Sequence, residues 1–155
     1  MVTPDCYACG REAEFDDLPP RERVAHDQLW RVAHVFDTAV RGWLVLLPRR
    51  HVVAVHDLTA AEATALGVWQ VRLSQALRSV TGCLKTYVVQ FAEAEGFAHV
   101  HFHIVPRMED LPPEHRGPGV FKLLRHPEQE PVTAAQADEL AHSLGAHLRG
   151  HSNVQ

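Results

Sequence analysis

The stretch from residue 97 to residue 107, FAHVHFHIVPR, constrains the fold more than any other part of the chain. It carries histidines at a spacing of two, His99, His101 and His103, with apolar residues between them. Alternate side chains of a β-strand point to opposite faces. The pattern therefore predicts a strand with three imidazoles on one face and apolar side chains packed against a core on the other.

Three imidazoles on one strand face have three interpretations. An imidazole has a pKa of about 6.5, so it can serve as a base, an acid, a nucleophile or a metal ligand. The set could be the exposed face of a histidine-rich strand, in a chain with 12 histidines. It could hold a catalytic metal, as three histidines hold zinc in carbonic anhydrase-like sites. It could also supply a nucleophile that attacks a phosphate, and the spacing alone leaves all three open.

Length, charge and cysteine content limit the class of protein. The 155 residues are enough for one domain with a single core. The net charge of −4 predicts no basic face for duplex nucleic acid or an anionic membrane. The chain has no apolar run of about 18 residues, and its N-terminus lacks the basic and apolar regions of a secretory signal. With an odd number of cysteines, the sequence predicts a cytoplasmic protein that does not enter membranes.

Cys6 and Cys9 form a C-x-x-C pair close to the N-terminus. A redox pair would normally lie at the start of a helix that follows a strand, and the short polar segment here predicts neither. Two unrelated free thiols are a second interpretation. The third is half of a four-ligand zinc site, which needs cysteine or histidine ligands from farther along the chain.

The remaining strands and helices predict an α+β fold with an antiparallel sheet. Residues rich in β-branched and aromatic side chains predict strands over 29–36, 43–48 and 83–91. The last of these leads through a short connection into the histidine strand, which favours an antiparallel pair. Backbone N–H groups at Gly96, in that connection, could approach a bound anion closely.

Two amphipathic helices are predicted beside the sheet. The sequence Thr59-Ala-Ala-Glu62 is typical of a capping box, and an apolar stripe follows it through residues 60–80 up to Gly82. A proline-rich loop follows the histidine strand, and a C-terminal helix over 133–150 comes after it.

The sequence HVHFHIVPR, together with Pro-Arg-Arg-His51, Asp-Leu-Thr and the helix after it, resembles the histidine triad (HIT) superfamily of nucleotide hydrolases and transferases. The resemblance covers residues 29–107. It implies an α+β fold, usually a homodimer, that breaks a phosphoanhydride, phosphoramidate or phosphoester bond at the α-phosphate of a nucleotide.

The resemblance also implies roles for individual residues. His101 would attack phosphorus and form a covalent phosphohistidine, His103 would donate to a phosphate oxygen, and His99 would complete the triad. Asp37 matches the residue that binds the ribose hydroxyls in relatives. Gln90 matches a position at which relatives carry Asn or Gln near the phosphate.

A zinc-binding branch of the superfamily offers partners for the cysteine pair. It resembles this chain in its N-terminal C-x-x-C, in a histidine after the Pro-x-x-His strand end and in the use of the first triad histidine as a ligand. Carried over by position, the structural zinc ligands are Cys6, Cys9, His51 and His99, with His56 as the rival for His51.

Two departures from the family pattern leave the substrate open. The usual Asn-x-Gly and Gly-Gln elements before the triad are replaced by a shorter loop over residues 91–96. In this loop Glu93 and Glu95 would repel a polyphosphate unless they point away or bind a cation. Trp43 stands where a histidine is common.

The predicted protein is a single HIT-like domain over residues 1–155. It consists of a zinc-binding segment (1–28), a core (29–107) and a loop with the C-terminal helix (108–155). The predicted function is hydrolysis or transfer of a nucleotidyl group, from a diadenosine polyphosphate or an adenylated small molecule, through His101. The alternatives are a metal-dependent hydrolase with the three histidines as ligands, and a zinc-stabilised nucleotide-binding module without catalysis.

Overall fold

The computed structural model describes residues 5–151, and their architecture is the predicted α+β fold. Five strands form one antiparallel sheet in the order β1-β2-β3-β5-β4. The strands are Ala25–His26 (β1), Trp30–His34 (β2), Leu44–Pro48 (β3), Lys85–Gln90 (β4) and Phe102–Arg107 (β5). The α-helices are Tyr7–Ala13 (α1), Ala60–Thr81 (α2) and Ala134–Gly150 (α3). Residues 1–4 and 152–155, which the predicted division of the domain includes, lie outside the described residues, and that division stays a prediction.

Helix α2 begins and ends where its sequence predicts. The Thr59 hydroxyl accepts a hydrogen bond from the backbone N–H of Glu62 at 3.2 Å, and the Glu62 carboxylate accepts one from the Thr59 N–H at 2.8 Å. This exchange satisfies two donors that a helix start otherwise leaves unpaired. At the other end Gly82 takes a left-handed conformation, with φ of 73°, which glycine adopts without steric cost.

The sheet separates a packed side from a side with a cavity. Helices α2 and α3 cover one face, where the apolar residues that alternate with the histidines enter the main core: Val100, Phe102 and Ile104. A smaller cluster lies on the other face, below the histidines: Trp43, Val105, Val120 and Leu123. The part of the histidine face that this cluster does not fill is a cavity that is open to a ligand. None of the helices within residues 5–151 is long and apolar enough to cross a bilayer.

Three local features differ from the sequence prediction. Strand β5 begins only at Phe102, because the N–H of Val100 donates to the carbonyl of Val52 at 2.7 Å instead of continuing the ladder. A short helix, α1, follows Cys6, where no element was expected. The proline-rich loop contains two 3₁₀ segments, Pro113–His115 and Gly117–Leu123.

Candidate functional site

A cavity of about 550 Å³ opens on the histidine face of the sheet. All three triad histidines line it, so the structure brings them to one side as the alternation predicts. Most of the remaining lining is apolar and aromatic, including Phe36, Phe91, Phe97 and Phe121. The cavity has the size and composition of a site for a small organic molecule.

His101 presents one free ring nitrogen at this cavity. Its Nδ1 lies 2.8 Å from the carbonyl oxygen of His99. A carbonyl only accepts, so Nδ1 carries the proton and Nε2 keeps its lone pair. The backbone thus fixes the tautomer that a nucleophilic imidazole requires.

A hydrogen bond also fixes the tautomer of His103, but the partner is a donor and the proton lies on the other ring nitrogen. The indole Nε1 of Trp43 donates to His103 Nδ1 at 2.9 Å, and Trp43 is fully buried. An indole N–H is a donor only, so His103 Nδ1 is the acceptor and Nε2 carries the proton. Burial, with a smaller effect from His101, lowers the pKa of His103 to about 4, which keeps the ring neutral near pH 7.

The ring of His99 faces the cysteine pair. Its Nε2 donates to the carbonyl of Pro48 at 2.8 Å, which leaves the Nδ1 lone pair facing Cys6 Sγ at 3.6 Å and Cys9 Sγ at 3.7 Å. Burial lowers the pKa of His99 to about 4, so this nitrogen is a neutral ligand near pH 7. The Pro48 carbonyl orients the ring as a partner of a metal-binding histidine commonly does.

The cysteine pair and two histidines form a Cys₂His₂ cluster. The ligand atoms of Cys6, Cys9, His51 and His99 all lie within 4.8 Å of one another, and His51 Nδ1 is 3.2 Å from Cys9 Sγ. Zinc–sulfur bonds of about 2.3 Å and zinc–nitrogen bonds of about 2.0 Å in a tetrahedron separate sulfur from nitrogen by roughly 3.5 Å. The observed sulfur–nitrogen distances of 3.2 to 3.7 Å therefore fit a zinc ion.

His56, the rival ligand, is not part of this cluster. Its side chain is 85% exposed and lies beside Asp57 instead. The two thiols are buried and not joined by a disulfide, and burial is the main cause that raises the pKa of Cys6. A raised thiol pKa opposes the thiolate that redox exchange requires, whereas a metal would deprotonate the ligand directly.

Comparisons with known proteins agree with this architecture. The family model of the HIT domain matches residues 19–110, more than half of the chain. This chain belongs to the HIT domain family. Membership supports a function in nucleotide binding or hydrolysis. No curated protein matches the sequence significantly.

Solved structures of HIT proteins share the fold at low sequence identity. A zinc-bound histidine triad family protein from Mycobacterium smegmatis is 19% identical, with a TM-score of 0.66 and 94% of each chain covered. A hypothetical histidine triad nucleotide-binding protein from Sulfolobus tokodaii is 15% identical, with a TM-score of 0.70, 94% of this chain covered and 93% of that one. A Hit-like protein involved in cell-cycle regulation from Bartonella henselae is 16% identical, with a TM-score of 0.68 and coverage of 95% and 99%.

The residues predicted to bind substrate fall into two groups in this HIT protein. Asp37 lines the cavity, in a left-handed backbone conformation with φ of 55°. Gln90 and Gly96 are not among the lining residues. Gln90 pairs with Phe102, and directly paired residues share a face, so its side chain is on the helix side of the sheet. The role of Gln90 stays a prediction that the strand register does not support.

Gly96 instead connects the triad loop to the metal-binding segment. Its carbonyl accepts from the N–H of Tyr7 at 3.1 Å, and its φ is 78°. Its role in anion binding also stays a prediction. Of the two glutamates in the loop, Glu93 lines the cavity and Glu95 does not.

The sequence prediction assigned no role to two residues of the site. In the sequence, Trp43 was noted only as a departure from the family pattern. Its side chain, from the residue directly before β3, donates a hydrogen bond to His103 on β5. His34 is also among the lining residues, but it pairs with Leu44 of the main core, so its side chain lies on the helix side of the sheet. Its Nδ1 donates to the Val35 carbonyl at 2.7 Å and its Nε2 accepts from the Gly42 N–H at 3.0 Å, while burial lowers its pKa. Its place in strand 29–36, on the side of Trp30 and Val32, is the signal that could have identified it as buried.

Proposed function

We propose that this HIT protein is a nucleotide hydrolase or nucleotidyltransferase that acts through a covalent phosphohistidine on His101. The observation that carries the proposal is the 2.8 Å contact between His101 Nδ1 and the His99 carbonyl. It leaves the Nε2 lone pair available inside a cavity that suits a nucleotide. Imidazole needs no further base at neutral pH, so no carboxylate is required to activate it.

In the first step, His101 Nε2 donates its electron pair to the α-phosphorus of the substrate. The bond from phosphorus to the leaving group breaks, and its electron pair leaves with that group. His103 Nε2–H donates to an oxygen of the reacting phosphate, where charge develops in the transition state. Water, or another acceptor, then attacks phosphorus, releases a proton to solvent and returns the electron pair to His101.

The cavity supports a nucleotide with an apolar base site as substrate. Phe36 and Phe97 have ring centroids 6.1 Å apart, and Tyr7 lies 5.1 Å from Phe97. Asp37, beside them in the lining, carries a carboxylate that can accept from both ribose hydroxyls. The proposed substrates are a diadenosine polyphosphate or an adenylated small molecule, with Gly96 as a further predicted ligand.

The Cys₂His₂ cluster would hold a structural zinc ion. All four positions are protein ligands, so the ion would supply folding energy and not an open site for catalysis. It would fix His99, whose carbonyl in turn holds the proton on His101 Nδ1. Three cysteines without a disulfide are consistent with the proposed cytoplasmic location.

The proposed protein is a homodimer. Strand β4 lies at the edge of the sheet, and apolar side chains on it, directly before it and on α2 are exposed: Val68, Val71, Leu84 and Val88. A long edge strand beside an exposed apolar patch is a surface that a soluble protein normally covers.

The test is a rapid quench of the protein with a radiolabelled adenylated substrate, followed by native mass spectrometry. We expect one adenylate on His101. We expect His101→Ala to abolish both adduct and turnover, and His103→Ala to lower kcat by about 100-fold. His56→Ala, which changes an exposed histidine, is the control and should behave as the unchanged protein. Turnover that persists in His101→Ala would contradict the proposal.

A non-catalytic nucleotide-binding module is the second candidate, because Glu93 places a carboxylate in the cavity lining. Nucleotide binding without product over hours would favour it. The metal-dependent hydrolase has less support. Among residues 5–151, the Cys₂His₂ cluster is the one group with metal-ligand spacing, and His99 faces the cysteines and not the other two triad rings.

A further inference from the structure

We propose that Trp43 is a positioning residue that keeps His103 a neutral hydrogen-bond donor, so that the site favours leaving groups that depart without a proton. The leaving-group preference rests on the proposed function. The arrangement of Trp43 and His103 can be tested without it.

The hydrogen bond between the two rings allows only one protonation state. The Trp43 N–H is 2.9 Å from His103 Nδ1 and has no lone pair to offer. A proton on His103 Nδ1 would therefore face another proton. An imidazolium needs a proton on both nitrogens, so Trp43 disfavours the charged ring whatever the solution pH.

Packing prevents Trp43 from moving aside. Its indole is fully buried and meets the edge of Phe121 at a centroid distance of 5.3 Å. Phe121 also covers His103 at 5.1 Å. The same aromatic ring thus holds both partners of the hydrogen bond.

The surroundings of His103 offer no charge that would stabilise an imidazolium. Its partners on the neighbouring strands are Val45 and Val89, and Phe121 covers it from the 3₁₀ segment. Burial and then His101, whose ring centroid is 4.9 Å away, lower the pKa of His103, and no carboxylate among the described residues opposes them. The low pKa of His103 agrees with this environment.

The neutral donor has a consequence for the leaving group. A neutral imidazole N–H can stabilise negative charge on an oxygen but does not give up its proton near pH 7. Phosphate and carboxylate leave as stable anions and need no proton. An amine leaving from a phosphoramidate must be protonated as the P–N bond breaks, and His103 cannot supply that proton. The favoured substrates are therefore nucleotides joined through a phosphoanhydride or a mixed carboxylic–phosphoric anhydride.

The first test measures the tautomer directly. In nitrogen-15 NMR spectra of the imidazole nitrogens, assigned with His103→Gln, we expect His103 to show the Nε2–H tautomer and no titration between pH 5.5 and 8.5. In Trp43→Phe, which keeps an aromatic ring but lacks the donor, we expect both tautomers and a measurable titration. Trp69→Phe removes another buried indole, whose N–H donates to Asp27, and should leave the His103 signals unchanged.

The second test compares two substrates. We expect a kcat/KM at least about 10-fold higher for diadenosine triphosphate than for adenosine 5′-phosphoramidate in the unchanged protein. Trp43→Phe should lower kcat for the anhydride by about 10-fold with a smaller change in KM. Trp43→His, whose ring can accept as well as donate, should restore kcat and reduce the preference for the anhydride.

The outcomes separate the two proposals. An Nδ1–H tautomer, or a His103 titration midpoint above pH 6 in the unchanged protein, would overturn the role of Trp43. Equal or better turnover of the phosphoramidate would overturn the leaving-group preference. An Nε2–H tautomer that depends on Trp43, without any adenylate on His101, would leave the positioning role intact and contradict the proposed function.

Discussion

At the scale of single residues, the buried carboxylate of Glu62 has two structural roles: it caps a helix and it binds an arginine. Its side chain is 3% exposed and accepts from the Thr59 N–H, which caps α2. The same carboxylate accepts from Arg50 Nε at 3.1 Å and Arg50 Nη2 at 2.8 Å, which holds the loop after β3 against the helix start. The bonds from Arg50, helped by those from Thr59, lower the pKa of Glu62 to about 2 against the opposing effect of burial.

The lowered pKa predicts a pH dependence of stability. Because the folded pKa is below the ordinary value of 4.5, the stabilisation is complete above pH 4.5 and is lost as the pH falls towards 2. Arg50 is half exposed, so solvent screening weakens the ion pair, and we expect Glu62→Gln to lower the free energy of unfolding by about 2 kcal/mol at pH 7. Urea unfolding from pH 3 to pH 7 would measure it.

The expected signature is a difference between variant and unchanged protein that shrinks as the pH is lowered. Glu128→Gln, at an exposed position near the C-terminal loop, is the matched control and should show no such difference. A penalty for Glu62→Gln that stays constant down to pH 3 would mean that packing, and not the charge, is what Glu62 contributes.

At the scale of elements, the Cys₂His₂ cluster joins three pieces of chain that are distant in sequence. Cys6 and Cys9 lie at the start of α1, His51 follows β3, and His99 precedes β5. Helix α1 is also tied to the sheet by Glu12, which lies 3.1 Å from Arg31 Nε and 2.7 Å from Arg49 Nε. These ion pairs hold the helix beside the cavity.

We expect one zinc ion per chain, lost in Cys9→Ala and His51→Ala and kept in His56→Ala. Loss of the metal should also lower the midpoint of thermal unfolding by about 10 °C, since metal binding to a site formed only in the folded chain adds to its stability. Elemental analysis and calorimetry of the three variants would test this. Zinc retained by His51→Ala but lost by His56→Ala would refute the assignment.

The sequence predicted the parts of this fold and site that depend on local patterns. The capping box at Thr59 predicted a helix start that the structure confirms, because the motif is complete within four residues. Helix α1 was missed since a seven-residue helix has too few residues for a periodic pattern and its Cys6 N-cap makes no side-chain bond. The hydrogen bond between Trp43 and His103 could not be predicted from the sequence, because it depends on the pairing of β3 with β5.

At the scale of the whole molecule, the exposed edge of the sheet predicts that two copies associate through β4 and α2. Val88 is 44% exposed on β4, and Val68 and Val71 are 57% and 58% exposed on α2. We expect sedimentation to give a dimer that Val88→Lys converts to a monomer, because a buried unpaired ammonium costs several kcal/mol at an interface. Val55→Lys, at an equally exposed valine outside this edge, should remain dimeric. A Val88→Lys protein that sediments as the unchanged protein would place the interface elsewhere.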